Sequence, residues 1–450
     1  ILFFPHPRRK RMKKFNVIVC VFFILHGVRA QETSLSLSEA LRVAVSKNYS
    51  ILIAKNDAAL AAHNNNWTNA GAYPELRFNA NPSISSNSLE QKLANGTEIK
   101  RNNALSEVIN ANVQLNWNLF NGFKLYATKD RLTSLERIGQ LNIESEILSL
   151  VYEVSAAYYN VIRLQNLSKV TQEQIAVSKD RVALEEKKFN LGRGGKSDLL
   201  QAKLDLQELQ IIHNKQENDV QDAYAQLFHL MQEKQFTSPR LTDTISGKQN
   251  ISGIGIQMNY DQHPQLKILN EQMLVNSLTK RELLAERIPS VNFLGAYNFN
   301  RTENQAGFNL FSLNYGPIAQ LQISVPLFDG KRISKSSKAL DYSYQTIALQ
   351  KEMWASNTNY EIELNNRKSE QSLKIYELEQ SRMQLALENL EVIKEKLRLA
   401  SITSLEFSQA QFTIIDIAAK MQDALYESML AKLQVDYLSG KLSDKLSSPK

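Results

Sequence analysis

The sequence predicts a mixed α and β membrane protein built from two copies of one unit. Long helices carry most of its length, and four strands carry its contact with lipid. Three observations lead there. The chain repeats itself at a fixed offset, it contains two spans almost free of helix breakers, and it has strands with one apolar and one amide-rich face.

The repeat governs how every local motif is read. "LNWNLFNG" (Leu115–Gly122) resembles "ISVPLFDG" (Ile323–Gly330), with Leu119-Phe120 opposite Leu327-Phe328 at an offset of 208. The same offset sets Phe189 opposite Leu397, Asp198 opposite Glu406, and Gln201-Ala202 opposite Gln409-Ala410. Upstream, Tyr73-Pro74 faces Ile288-Pro289 at an offset of 215, so the first copy carries seven extra residues between its proline and its Leu-Phe-x-Gly.

The first element, residues 1–30, reads as a leader. Met12-Lys13-Lys14 opens a basic n-region, Val17 to Leu25 is a short apolar run, and Val28-Arg29-Ala30 is a small-x-small cleavage site. Residues 1–11 precede that methionine. The apolar run is too short to span a bilayer. Cys20, the only cysteine, lies inside it behind Val19, which is not the small residue that acylation wants. The leader also explains the basic balance. The chain of 450 residues has a net charge of +7, and residues 1–30 hold seven basic and no acidic residues; the remainder has 46 of each sign. A near-neutral body has no electrostatic footprint for nucleic acid. At 43% hydrophobic it is not disordered by composition, and it is too long for one ordinary compact core.

Each copy then reads as short helix, strand, loop, strand, long helix, turn, shorter helix. The first copy comprises a helix within 31–70, a hairpin over 71–121 and a helical hairpin over 122–233. A linker over 234–262, rich in Gly, Ser, Thr and Asn, separates it from the second. The second comprises a helix over 263–288, a hairpin over 289–329 and a helical hairpin over 330–438, before a tail of 439–450. No proline occurs between Pro82 and Pro239 or between Pro326 and Pro449, and Gly139 is the only glycine between Gly122 and Gly192. So few breakers argue for long helices; Phe123–Asn190 would run roughly 100 Å at about 1.5 Å per residue. Its apolar positions form two adjacent seams: Ile147, Val151, Val154, Tyr158 and Val161, then Leu150, Val154, Ala157, Val161 and Leu164. Two seams require a neighbour on each flank. The helices Ser38–Ala70 and Asp198–Gln232 are each about half as long, and end to end they would line one flank.

The strands carry the membrane signal. In "SEVINANVQLNWNLF", Ile109, Ala111, Val113, Leu115, Trp117 and Leu119 alternate with Asn110, Asn112, Gln114, Asn116 and Asn118. A period of two marks a strand with one apolar and one polar face. In the second copy Ala319, Leu321, Ile323 and Val325 alternate with Gln320, Gln322 and Ser324. Their partners are Glu75–Ile84 and Ser290–Asn300. Such strands fit an outer-membrane barrel wall, with Trp117, Tyr73 and Tyr297 placed for aromatic girdles. Four strands cannot close a barrel, and an open edge is not tolerated in lipid, so several chains must share one. With the amides inside, the product is a water-filled passage.

Taken together, these features resemble the TolC-like outer membrane efflux protein family. The resemblance covers roughly Ser34 to Leu438. It rests on the duplicated unit, on Pro-Leu-Phe-Asp-Gly at Pro326–Gly330, on Leu-Phe-Asn-Gly at Leu119–Gly122, and on Gly-x5-Asp-Leu-x-x-Ala at Gly192–Ala202. The resemblance implies a homotrimer in the outer membrane lipid, with a 12-stranded barrel of four strands per chain above a long periplasmic α-helical barrel. It implies an inner-membrane transporter and a periplasmic adaptor as partners, in a tripartite efflux or type I secretion system, with substrate leaving through the shared duct. It places the adaptor-contact tips at Gly192, Arg193, Gly194, Gly195 and Lys196 and at Ala400 and Ser401. It places the periplasmic mouth carboxylates at Glu406 and, in the first copy, Asp198. The barrel lumen would be lined by Asn110, Asn112, Gln114, Asn116, Gln320, Gln322 and Ser324. The chain departs from the family pattern at the mouth: Ala400 replaces the usual glycine, Gln409 a second carboxylate, and Leu397 and Ile402 the tyrosine and arginine of the closing network.

Other chemistries find little support. Thr403 and Glu406 have capping-box spacing, and Asp198 suits a first helical turn, so both carboxylates also have a purely helical role. His63, His213, His229 and His263 show no ligand spacing, and no cofactor is implied. The "GKS" at Gly195–Ser197 lacks the glycine five residues earlier that a phosphate-binding loop needs, since Asn190 is there, and a helix rather than a strand precedes it. An enzyme is not expected. The alternative is a periplasmic coiled-coil scaffold without a pore.

Overall fold

The computed structural model describes residues 34–234, 238–245, 262–399 and 401–442. The expected leader with Cys20, most of the linker, Ala400 at the second tip and the end of the tail lie outside these. The elements are β1 (Ser34–Leu35), α1 (Leu37–Lys47), α2 (Tyr49–Asn64), β2 (Glu75–Lys92), β3 (Glu98–Asn121), α3 (Lys124–Asn190), α4 (Lys196–Met231), β4 (Arg240–Leu241), α5 (Pro264–Ala285), β5 (Ser290–Asn304), β6 (Phe311–Ser324), α6 (Arg332–Arg398) and α7 (Ser404–Leu438). The order helix, strand, strand, long helix, shorter helix occurs twice. α3 and α6 have 67 residues each, and α4 and α7 have 36 and 35.

Helices and strands are in register with one another. β2, β3, β5 and β6 form one open antiparallel sheet in that order. Below it, α3 packs against α2 and α4 and also against α5 and α7, while α6 packs mainly on α5 and α7. The helical layer therefore runs α2/α4, α3, α5/α7, α6, and each of α2, α3, α5 and α6 continues one strand. Both seams of α3 are filled: Leu150, Val151, Val154, Ala157, Tyr158 and Val161 are all buried in one cluster. α6 is one-sided by contrast. It buries seven residues where α3, of equal length, buries 19. Its outer stripe, with Leu349, Met353, Tyr360, Leu378, Leu385 and Val392, stays exposed.

Strand turns into helix by the same device in both copies. Gly122 and Phe123 have φ +68° and +67°, and Gly330 and Lys331 have +65° and +66°. Two successive left-handed residues turn the chain from strand into helix, and glycine bears the first at no steric cost. A side chain then holds the new helix: Asn121 accepts from the Leu125 N–H at 3.2 Å, and Asp329 from those of Lys331 and Ile333 at 2.9 and 2.8 Å.

Several boundaries differ from the sequence reading. The helix expected over Ser38–Ala70 is two helices, broken at Asn48, whose side chain caps α2 through the Ser50 N–H and donates to the Leu230 carbonyl at 3.1 Å. α2 ends at Asn64, and turns occupy the stretch up to β2. The strands are longer than their apolar stretches. β2 and β3 continue to a hairpin end crossed by the ion pairs Lys92–Glu98 and Lys100–Glu90. These charged rows pair as well as apolar ones because the backbone ladder is indifferent to side-chain polarity once water is present. The linker holds a feature with no periodic signal: β4 pairs in parallel with β1. Asp243 accepts from the Leu37 N–H and the Tyr158 hydroxyl, both at 2.8 Å, which binds the linker to the start of α1 and to α3. Burial and this carboxylate push the Tyr158 phenol well above its ordinary range.

Candidate functional site

The sheet register brings Asn110, Asn112, Gln114, Asn116, Gln320, Gln322 and Ser324 to one face. Asn112 lies between Asn79 and Asn298, and Asn110 between Asn81 and Asn300, which in turn faces Asn314. Amides couple along and across strands: Asn79 Nδ2 donates to Asn112 Oδ1 at 2.9 Å, and Gln114 Nε2 to Asn116 Oδ1 at 2.8 Å. The face is not wholly polar, since Leu294 and Ile318 fall on it.

The opposite face is an apolar band. Its rows include Phe78–Val113–Tyr297 and Leu76–Leu115–Gly295. Phe78 and Ile323 are 71% and 65% exposed. From Ile109 to Phe120 the band measures roughly 28 Å in height, taking about 3.3 Å per residue and a tilt near 40°. Charged residues close its upper end, where Arg301 opposes Ile109 and bonds Glu303 at 2.6 Å. An aromatic collar closes its lower end. Trp117 Nε1 donates to the Ala72 carbonyl at 3.0 Å, Phe120 meets Phe123 edge to face, and Trp67 meets Tyr126 likewise.

Just below the collar, Glu286 joins both long helices. It accepts from Lys124 Nζ at 2.9 Å, at the start of α3, and from Arg332 Nη2 at 2.8 Å, at the start of α6. Arg332 and Lys124 hold its carboxyl below the usual range. The position gave no sequence signal, because its partners are distant in the chain.

At the far end of the helices lie the two turns. Gly192 has φ +68°, and the Arg193 N–H donates to the Lys188 carbonyl at 2.8 Å. Across the second turn the Ser401 N–H donates to the Lys396 carbonyl at 2.9 Å, the same bond displaced by 208 residues. Gly194 is confined, since a Cβ there would lie 2.9 Å from that of Lys188. α4 opens at Lys196, with Gly195 at its N-cap, and not at Asp198 as its sequence suggests. Arg193, Lys196 and Ser401 are exposed. Lys188 Nζ joins the two turns through the Leu397 carbonyl at 2.8 Å.

Glu406 is exposed and completes a capping box with Thr403, accepting its N–H at 2.8 Å and its hydroxyl at 3.0 Å. The backbone bond and then the hydroxyl bond lower its pKa, so it stays ionised. Asp198 is half-buried in the first turn of α4, and its carbonyl accepts from Ser404 Oγ at 3.5 Å.

A buried cluster above the turns has no local signal in the sequence. Arg181 of α3 pairs with Asp205 of α4 at 2.8 Å. Its guanidinium also donates to the Ser404 carbonyl at 3.0 Å, to Ser404 Oγ, and to Ser408 Oγ at 3.2 Å, and it stacks over the Phe407 ring at 4.8 Å. Ser408 in turn donates to Asp205. One cation thus fastens three helices. The histidines are dispersed: His213 bonds Ser168, and His263 is a buried helix cap. Among the described residues no group of His, Cys, Asp or Glu is arranged to hold a metal. Among them, too, no helix is long and apolar enough to cross a membrane.

Residues 40–232 match the model of the outer membrane efflux protein family. No curated protein sequence matches the chain significantly. Among solved structures, the fold is similar to that of CusC, from a study of its folding and transmembrane channel formation, with TM-score 0.74 and 15% identity, covering 90% of this chain and 91% of that one. It is also similar to the outer membrane protein VceC of Vibrio cholerae (TM-score 0.71, 15% identity, 90% and 96% covered). A third is the CmeC outer membrane channel of Campylobacter jejuni (TM-score 0.70, 14% identity, 90% and 85% covered). At these identities the likeness is one of fold.

Proposed function

We propose, for a chain whose sequence and fold both resemble the outer membrane efflux protein family, that it forms one third of a passive trimeric duct in the outer membrane, extending into the periplasm. The observation that carries this reading is the open four-stranded sheet. It has an apolar band of bilayer height on one face, amide rows on the other, and two unpaired edges. Three copies joined edge to edge would give a 12-stranded barrel with a hydrated lumen, lined by amides and carrying the Arg77–Glu75 ion pair near its lower end. The exposed stripe of α6 supports the same joining lower down, where it would meet α2 and α4 of the next copy. Three such helical layers would continue the barrel as a tube. The exposed turns at Gly192–Lys196 and around Ser401 lie where a periplasmic adaptor would dock, bringing an inner-membrane transporter that selects the cargo. The duct would serve tripartite efflux or type I secretion. It needs no catalytic step and no cofactor.

Planar-bilayer recording of the purified chain tests this. A duct gives discrete conductance and an outer-membrane oligomer whose migration changes on heating. A periplasmic coiled-coil scaffold gives neither. A nucleotide-dependent reading of Gly195–Ser197 predicts ATP binding that is lost in Lys196→Ala, whereas the duct predicts none.

A further inference from the structure

Both free edges of the sheet have a paired counterpart inside the same chain. The two hairpins share one register under the sequence offsets. Leu76 opposes Leu115 and Phe78 opposes Val113 in the first; Val291 opposes Ile323 and Phe293 opposes Leu321 in the second. β6 is thus the counterpart of β3, and β2 of β5. The seam β3–β5 is formed within the chain, while the equivalent seam from β6 to another β2 is not. Its absence leaves marks. β3 pairs through Asn121, but β6 stops at Ser324, short of the equivalent Asp329. Leu119 is 47% exposed and its counterpart Leu327 94%. At Gly122 a Cβ would lie 2.5 Å from the Ala285 carbonyl and 2.7 Å from Ile288 Cβ, whereas Gly330, in the same backbone conformation, has nothing within 4 Å. Counterparts of Ala285 and Ile288 are Ala70 and Tyr73, and Tyr73 is 64% exposed.

We propose that the seam between copies reproduces the β3–β5 seam residue for residue, with Ile323 opposite Ala80 of the next copy, Gln322 opposite its Asn81, and its Ala70–Tyr73 turn seated over Gly330. This rests on the multi-chain reading above and fixes its contact. The register follows by transfer. Leu115 opposes Gly295, and Gln114 opposes Ala296, within one chain. The transfer keeps apolar rows with apolar rows, as in Val325 with Phe78, and on the polar face sets Gln322, Gln320 and Ser324 beside Asn81, Ser83 and Asn79; at its lower end it brings Asp329 beside Glu75. A slip of one residue would invert the faces; a slip of two would keep them but misplace Leu327. The bulge between Asn118 and Phe120 transfers to Pro326–Phe328, and a proline belongs at a bulge or an edge. One element does not transfer: Gly71 stands where Glu286 bridges Lys124 and Arg332, so the seat on Gly330 is apolar.

Cysteine pairs test the register, since Cys20 is the only native cysteine. In the full-length chain, Ile323→Cys with Ala80→Cys and Gln322→Cys with Asn81→Cys are neighbouring rows. One of them is the closer, non-hydrogen-bonded kind, which suits a disulfide. Mild oxidation should convert most of at least one variant into covalent dimers and trimers. The slipped pair Ile323→Cys with Phe78→Cys should yield several-fold less. Native mass measurement of the wild type and of the single variants separates the two failures. An oligomer in which the slipped pair links best, or in which no pair links, overturns the register and leaves the duct standing. A chain monomeric in detergent and in bilayers overturns both.

Discussion

Arg181 and Asp205 pair at 2.8 Å with side chains only 1% and 7% exposed, at the point where α3, α4 and the start of α7 converge. A buried cation is costly unless its partners are complete. Here a carboxylate, a backbone carbonyl, two hydroxyls and an aromatic face surround it, and Nε has no hydrogen-bond partner among the described residues. Arg181→Ala leaves Asp205 charged and buried, and should destabilise the helical end by about 3–5 kcal/mol. Arg181→Met with Asp205→Leu removes both charges and should recover most of that loss. Apparent unfolding temperature and the rate of tryptic cleavage within the Arg193–Lys196 turn read the effect. Should the double variant be as unstable as Arg181→Ala, the pair itself is not what fastens the three helices.

Glu406 has two roles to separate. Its carboxylate completes the capping box of α7, and Thr403→Ala, which removes the reciprocal hydroxyl, should cost about 1 kcal/mol. Glu406→Gln keeps much of the cap, because an amide oxygen still accepts, and removes only the charge. If Glu406 also rings the mouth, that variant should lower cation preference in planar bilayers. An unchanged reversal potential would leave it a helix cap alone.

Periodicity explains which parts of the architecture were legible in the sequence. The 67-residue helices follow from missing prolines and glycines, and the amide face of β3 from strict alternation at Asn110–Asn116. Both signals are local. The break at Asn48 was hidden because asparagine mid-pattern is ordinary until its side chain finds the Leu230 carbonyl, far away in the chain. Arg181, Asp205 and Glu286 were hidden for the same reason. A charge run on a helix is most often a solvated face, and only packing of α3 against α4 and α7 buries this one arginine among several. The β1–β4 pair offered too few residues to show any period.

The two faces of the sheet should respond oppositely to charge. Leu115→Arg or Ile323→Arg places an ion in the apolar band and should cost about 2–4 kcal/mol near mid-height. Loss of the heat-modifiable oligomer would report it. Arg at Asn112 or Gln322 faces the amide rows, so assembly should persist while conductance and ion preference change. Equal damage from both sets would mean that the faces are misassigned.

His263 should make stability fall with acid. Its Nδ1 accepts the Gln265 N–H at 3.2 Å, so Nε2 carries the proton and, among the described residues, finds no partner. The ring is 4% exposed and lies 5.0 Å from that of Trp354 and 6.0 Å from that of Tyr437. Burial pushes its pKa from 6.5 down to about 4. The folded chain therefore keeps this imidazole neutral in a window where the unfolded chain binds a proton. Stability contributed by His263 is full above 6.5 and is lost as pH falls toward 4, by up to about 3 kcal/mol. His263→Asn retains an N-cap acceptor and cannot titrate. The apparent unfolding temperature of the wild type should therefore drop relative to that of the variant between pH 6.5 and 4, with a constant gap above pH 7. A gap that stays flat down to pH 4 would show that the ring is not held neutral.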